Sequence, residues 1–261
     1  MLQTYVDAWR ESVRSVLDLA ADLDADDWSR PTDLPGWSVL DVVAHLAHLE
    51  SVTAGVETDE VPDTGATIVA SDYTDAGVAA RRGRTPEQVL EELRTSFATR
   101  SAVLDVLPDP AASASPTPGG VAWTWDTLLR NRAVDAWSHE QDVRRAVGRP
   151  GSLDSPGAVV TTHTFAAGMP YVLGKKVGAA PGTSVLWVLT GGVPLEVGAT
   201  VGDDGRARGG APGDPTTTLT MTSETFTVLA AGRRTPTTSE VEITGSAHLA
   251  QQVLAAMTLT F

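Results

Sequence analysis

Two histidines and one aspartate are the residues of this chain whose types and spacing best suit a metal site. Cysteine is absent, so a metal can be bound only by His, Asp or Glu, and a cysteine nucleophile or an iron–sulfur cluster is excluded. Asp135 and His139 are four residues apart, on one face of a helix. His45 lies in an apolar helical stripe, and a bundle can bring it beside them. Two imidazoles and a carboxylate suit a divalent ion with an open position.

The same residues have more ordinary interpretations. An Asp/His pair at this spacing is also typical of a simple hydrogen-bonded pair, and a lone histidine in an apolar stripe is typical of a packed core residue, in a bundle that binds no metal. His48 could be a fourth ligand, a solvent-facing residue or a group that supports a ligand, and the sequence favours support. His163 and His248 are interpreted as structural or exposed.

Arg233 and Arg234 are further candidates, because they follow Gly232 at the predicted end of a helix. Basic side chains at this place interact favourably with the helix dipole. A pair of guanidinium groups also suits the binding of a substrate carboxylate. The sequence contains no glycine-rich phosphate loop and no nucleophile elbow, so neither a nucleotide site nor a serine hydrolase site is indicated.

Four amphipathic helices in residues 1–150 must position the histidines and the aspartate. Each shows apolar residues at helical spacing, and the pattern as a whole predicts a four-helix bundle. Capping residues and proline mark the predicted starts. These starts are Leu2, Ser38 with Asp41 as its capping partner, Thr85-Pro86 and about Trp125, and the last helix ends at Val147 before Gly148. A short helix is also expected near Asp72 to Arg82.

The rest of the chain changes character and predicts a smaller α+β domain. We expect a metal-binding bundle over residues 1–150, a connecting helix or linker over 151–182, and an α+β domain over 183–261. The connecting helix is predicted over Ser155–Val177. The predicted strands are Val185–Leu189, Val193–Val197, Thr216–Met221 and Val241–Thr244, and the predicted helices are Ser223–Ala231 and Ser246–Met257.

The charge balance excludes some partners. A net charge of −14 disfavours binding to nucleic acid and to anionic membranes. The first residues carry no signal-peptide pattern and no run is apolar enough for a membrane span, so we expect a cytoplasmic protein. Asn131 is the only asparagine and lysine occurs only at 175 and 176, a usage that fits a GC-rich, actinobacterial genome.

Four segments resemble the mycothiol-dependent maleylpyruvate isomerase family, whose bundle is DinB-like and whose C-terminal domain is sterol-carrier-like. The first two are RPTDLPGWSVLDVVAHLAHLE at 30–50 and DAWSHEQDVRRAVGRP at 135–150. The other two are FTVLAAGRR at 226–234 and VEITGSAHLAQQVLAAM at 241–257. Because these segments lie in both halves of the chain, the resemblance implies the two-domain α+β architecture of that family.

The resemblance also implies a ligand set. Matched position by position, the family's zinc ligands correspond to His45, Asp135 and His139, although the isomerase pattern has Glu where this chain has Asp135. It further implies mycothiol as a cofactor. Arg233 and Arg234 become candidate catalytic residues that contact substrate, and Arg233 becomes a candidate contact for the thiol.

The activity implied by the resemblance is that of a metal-dependent enzyme. Mycothiol thiolate would attack an electrophilic small molecule, as in the cis–trans isomerisation of maleylpyruvate. A mycothiol S-transferase of a detoxification type is the alternative, and a non-catalytic protein that binds metal or an apolar ligand is a third. We therefore expect a small-molecule substrate and a low-molecular-weight thiol as partners of a monomer or homodimer.

Overall fold

Two compact units make up the chain, Met1–Gly151 and Ser152–Phe261. The computed structural model describes residues 1–56, 66, 68–235 and 240–260. The first unit is helical, and the second combines a sheet with helices. This is the α+β fold class expected from the sequence, which is thereby confirmed.

The described residues of the first unit form five α-helices, and the four long ones form a bundle. Helix α2 packs against both α4 and α5, while α1 packs mainly along α5. α3 is the short helix expected before the third long helix, and it packs on α2. The helices are α1 (Leu2–Ala21), α2 (Val39–Thr53), α3 (Ser71–Ala79), α4 (Pro86–Val103) and α5 (Trp125–Val147).

Side-chain caps fix where the helices of the bundle begin. Ser38 Oγ accepts a hydrogen bond from the Asp41 amide, and the Asp41 carboxylate accepts one from the Ser38 amide, which forms the expected capping box of α2. Thr85 and Gln88 form the same arrangement at α4. α5 ends at Gly148, whose φ of 68° suits glycine. The sequence prediction for these three helix ends is confirmed.

A five-stranded sheet forms the centre of the second unit. The strand order is β3-β2-β1-β4-β5, and β1 and β4 are parallel whereas the other neighbours are antiparallel. Trp187 and Leu219 are fully buried in this unit. The strands are β1 (Ser184–Thr190), β2 (Leu195–Val201), β3 (Ala207–Gly209), β4 (Thr217–Thr222) and β5 (Glu242–Gly245). The sequence did not predict β3.

The helices of the second unit differ from the prediction at one place. α6 (Pro156–Ala167) is followed by α7 (Met169–Tyr171) and a π-helical turn (Val172–Lys176), whereas one continuous helix was expected. Pro170 has no amide hydrogen and its ring conflicts with a continuing α-helix, which accounts for the break. α8 (Ser223–Ala230) and α9 (Ala247–Ala256) lie where predicted. In the described part of the chain no helix is both long and apolar enough to cross a membrane.

Candidate metal centre

α2 and α5 bring the three candidate ligands together. His45 lies in the middle of α2, and Asp135 and His139 lie one turn apart on α5. One donor atom from each residue falls within 4.8 Å of the other two. Both imidazoles are buried, at 3% and 6% exposure, whereas the Asp135 side chain keeps 28%. The cluster is therefore open to solvent on the side of the carboxylate.

The two separations that involve the Asp135 oxygen match those of ligands on a metal ion. Asp135 Oδ1 lies 3.4 Å from His45 Nε2 and 3.5 Å from His139 Nε2. Both distances exceed the roughly 2.7–3.2 Å of ordinary N–H···O bonds. Tetrahedral zinc with bonds of about 2.0–2.1 Å places its ligand atoms about 3.3–3.4 Å apart. The residues present thus fit a zinc-sized ion, with a fourth position for an external ligand.

His139 is oriented by a carboxylate behind it. Its Nδ1 lies 3.0 Å from Asp142 Oδ2, and Asp142 is fully buried one turn further along α5. An ionised carboxylate accepts but does not donate, so the neutral form of the ring carries its proton on Nδ1 and directs the lone pair of Nε2 at the cluster. Arg145 donates to the other oxygen of Asp142 and to Asp33, and so holds this carboxylate in turn.

Trp37 forms a wall beside both imidazoles. Its ring centroid lies 5.3 Å from that of His45 and 6.3 Å from that of His139. The loop that carries it is tied by a hydrogen bond from the Thr32 amide to the Trp37 carbonyl. Trp37 is half-buried, so one part of its ring borders the cluster.

The environment sets the charges of the cluster. Burial lowers the pKa of His45 to about 4, so its imidazole is neutral at neutral pH. Burial opposes the ionisation of Asp135, but Arg132 and the two histidines outweigh it and hold the pKa of this carboxyl well below its usual range. Burial also acts to lower the pKa of His139, yet Asp135 and Asp142 raise it in total. A carboxylate and a neutral imidazole are the forms that bind metals.

A buried charged cluster behind Asp135 was not found from the sequence. Glu50 is fully buried, and its carboxylate accepts hydrogen bonds from Trp9 Nε1, Arg100 and Arg132. Arg132 also donates to Asp135 Oδ2 over 2.7 Å. The signal was available: apart from the capping Asp41, Glu50 is the only acid in an otherwise mostly apolar helix.

The remaining sequence candidates lie outside the three-residue cluster. His48 is buried, and its ring packs on Tyr73 of α3 with a centroid distance of 5.2 Å. His163 and His248 are exposed. Arg233 and Arg234 lie in the second unit just after α8, where Gly232 adopts a φ of 65°. Arg233 donates to the Ala231 carbonyl, and Arg234 lines a pocket of about 140 Å³ with Glu224 and Glu240 among its walls.

Comparison with known sequences places the first unit in a family. The sequence model of the mycothiol maleylpyruvate isomerase N-terminal domain matches residues 9–144. Two uncharacterized proteins from two strains of Mycobacterium tuberculosis are each 28% identical over 134 residues, which is 50% of this chain. The chain spans about half the length of these curated relatives, 51% in each case.

Comparison with solved structures supports the fold of both units. The crystal structure of the mycothiol-dependent maleylpyruvate isomerase matches with a TM-score of 0.60 over 94% of this chain and 93% of that one, at 16% identity. The structure of a histidine-to-alanine mutant of that enzyme matches equally well. At this identity the likeness concerns the fold. Because the family model covers more than half of the sequence, the chain belongs to the family defined by the mycothiol maleylpyruvate isomerase N-terminal domain.

Proposed function

We propose that the chain is a metal-dependent enzyme in which His45, Asp135 and His139 hold zinc and mycothiol supplies a thiolate. The observation that carries the proposal is the convergence of three donor atoms within 4.8 Å of one another, with the Asp135 oxygen 3.4 and 3.5 Å from the two imidazole nitrogens. Membership in the family supports the choice of thiol. A solved protein of the same fold is named as a mycothiol-dependent maleylpyruvate isomerase, which supports a cis–trans isomerisation of that type.

A zinc ion in this position would act as a Lewis acid that stabilises a thiolate at neutral pH. The residues of the chain supply the surroundings. His45 and Asp135 are already in ligand form, Asp142 keeps the lone pair of His139 directed at the centre, and Trp37 limits access of water from its side. The sulfur must come from a small thiol, because the chain has no cysteine.

Bound mycothiol would supply the nucleophile for the reaction. Its thiolate would add to an electrophilic double bond of the substrate, whose electron pair the neighbouring carbonyl oxygen would accept. Loss of the thiolate after rotation about the former double bond would leave the trans isomer, with no net gain of atoms or protons. We assign to Arg233 or Arg234 the binding of the substrate carboxylate, a role suited to guanidinium groups.

Metal content and turnover test this function together. Protein purified without added metal should contain close to one zinc per chain, and His139→Ala should lose it, while His163→Ala, a change at an exposed histidine, should keep it. Loaded protein should convert maleylpyruvate to its trans isomer only when mycothiol is present. Equal activity with glutathione would contradict the choice of thiol, and metal content unchanged by His139→Ala would contradict the site.

The product distinguishes this function from its alternatives. A stable conjugate of substrate and mycothiol would show that the chain is an S-transferase, because the final expulsion of thiolate would be missing. Metal binding without turnover of any mycothiol-dependent reaction would show a binding protein.

A further inference from the structure

Asp135 divides its two carboxylate oxygens between different partners. Oδ2 accepts a hydrogen bond of 2.7 Å from Arg132 Nη1. Oδ1 faces the two imidazoles, 3.4 Å from His45 Nε2 and 3.5 Å from His139 Nε2. An ionised carboxylate that is free on both oxygens can bind a metal through both of them. Here one oxygen is already engaged by a charged donor.

Arg132 cannot turn away from Asp135, because its other donors are held. Its Nη2 and Nε donate to Glu50 Oε1 over 2.6 and 3.2 Å, and its side chain is only 2% exposed. Glu50 is itself fixed by Trp9 and Arg100, over 2.9 Å in each case. The planar guanidinium therefore has one edge on Glu50 and one nitrogen left for Asp135.

We propose that Arg132, held by Glu50, is a positioning residue that keeps Asp135 a one-oxygen ligand. This inference rests on the proposed metal site. Because Oδ2 is bound to Arg132, the protein offers three donor atoms to the ion rather than four. The fourth coordination position of a tetrahedral ion then stays available for a sulfur. Without Arg132, Asp135 could offer both oxygens and occupy the position that the thiol needs.

Arg100 provides a matched control within the same buried cluster. Arg100 is as buried as Arg132, and both donate hydrogen bonds to Glu50. The Arg100 guanidinium lies over the Trp9 ring, 4.7 Å from its centroid, whereas that of Arg132 reaches Asp135. A lysine at either position keeps the positive charge while it loses the planar fork. A purely structural role of the cluster would make Arg132→Lys and Arg100→Lys equivalent in their effect on the metal.

The test measures metal binding without reference to activity. Metal-free parent, Arg132→Lys and Arg100→Lys proteins are titrated with zinc against a chromophoric chelator, and their cobalt forms are compared by visible absorption. Arg132→Lys should change zinc affinity by about 10-fold or more, since changes behind a ligand commonly have effects of this size. Its cobalt absorption should weaken, because a second oxygen raises the coordination number. Arg100→Lys, which changes a residue one step further from Asp135, should alter both measurements far less than Arg132→Lys does.

Equal behaviour of the two variants, or an Arg132→Lys protein identical to the parent, would overturn the role of Arg132 while leaving the proposed site intact. A parent chain that binds no metal would overturn both. If Arg132→Lys does not fold, a crystal structure of the zinc-loaded parent decides the question. We expect Asp135 Oδ1 to bind the ion while Oδ2 accepts the hydrogen bond from Arg132. A structure in which both oxygens of Asp135 bind the ion would refute the proposal.

Discussion

His139 uses its two ring nitrogens for different partners, with Nε2 towards the candidate metal centre and Nδ1 on Asp142. A carboxylate behind a histidine ligand fixes the tautomer and strengthens the imidazole as a donor. The other histidine of the cluster has no such support, because His45 Nδ1 is buried without a hydrogen-bond partner among the described residues. The two imidazoles are therefore unequal, and His139 is the better-oriented ligand.

Asp142→Asn tests the support of His139. Loss of the charge behind the ring should lower zinc affinity by about 10- to 100-fold. Asp126→Asn, at the start of the same helix where the side chain is about one-third exposed, is the control and should bind zinc like the parent. Chelator competition measures both variants. An Asp142→Asn protein with parental affinity would show that the carboxylate does not assist the ligand.

Glu50 gives the stability of the chain a pH dependence. Burial opposes its charge, but Arg132 and Arg100 outweigh burial and lower the pKa of Glu50 below its usual value. A carboxyl with a lowered pKa stabilises the fold above its unfolded-state pKa of about 4.3, and this contribution is lost as the pH falls through the folded-state value.

Glu50→Gln should remove this acid-dependent part of the stability. At pH 7 the variant should unfold about 3–5 kcal/mol more easily, because the buried Arg100 loses its carboxylate partner and Arg132 keeps only Asp135. As the pH falls below about 4.3, the free energy of unfolding of the variant should decrease less steeply than that of the parent. Glu91→Gln, at a site 73% exposed, is the control. Urea unfolding at several pH values measures both, and parallel curves for Glu50→Gln and the parent would contradict the assignment.

At the scale of elements, a glycine at position 77 allows α3 to pack closely against α2. A Cβ built on Gly77 would lie 2.2 Å from Cδ2 of the buried His48 ring, and the ring also packs on Tyr73. This close approach explains why a residue with poor helix propensity stands inside a helix.

Gly77→Ala should therefore destabilise the protein by about 1–3 kcal/mol through overpacking. Helix propensity alone predicts the opposite sign, a gain of up to about 1 kcal/mol. Gly83→Ala is the control, since no atom lies within 4 Å of the position that its Cβ would take and its effect should be close to zero. Thermal unfolding measures both, and a stabilised Gly77→Ala protein would show that α3 does not press on His48.

Local signals in the sequence were sufficient for most elements. Ser38 with Asp41, Thr85 with Pro86, and Gly148 act within one turn of chain, and each marks a helix end correctly. The break at Pro170 was also readable in principle, but the apolar residues on both sides favoured one long helix. β3 is only three residues long and contains few strand-forming side chains, so its sequence pattern did not indicate a strand.

The site was only partly accessible to such reasoning. Asp135 and His139 share a helix face, so their proximity followed from spacing alone. Glu50 meets Arg100 and Arg132 across 50 and 82 residues of sequence, and no periodicity links residues on different helices. The tertiary packing of α2 against α4 and α5 decides these contacts.

For the molecule as a whole, all three candidate ligands lie in the first of two units. A ligand that binds only the folded state adds stability, about 2.7 kcal/mol at a concentration of one hundred times Kd. Zinc should therefore slow amide exchange in peptides of α2 and α5, and leave β1 and β4 nearly unchanged. Hydrogen–deuterium exchange with and without zinc measures this. Protection confined to the strands would contradict the location of the site, and the metal-free His139→Ala protein serves as the control.

The fully buried Glu50 carboxylate makes positions 50, 100 and 132 dependent on one another during divergence. Replacing one of the three residues leaves a buried charge without its partner. Joint replacement by apolar side chains of similar volume is often neutral or stabilising by about 1–4 kcal/mol. Selection for stability alone has thus no reason to keep the three residues. A relative that has exchanged all of them for apolar side chains would keep the bundle, but its counterpart of Asp135 would have both oxygens free.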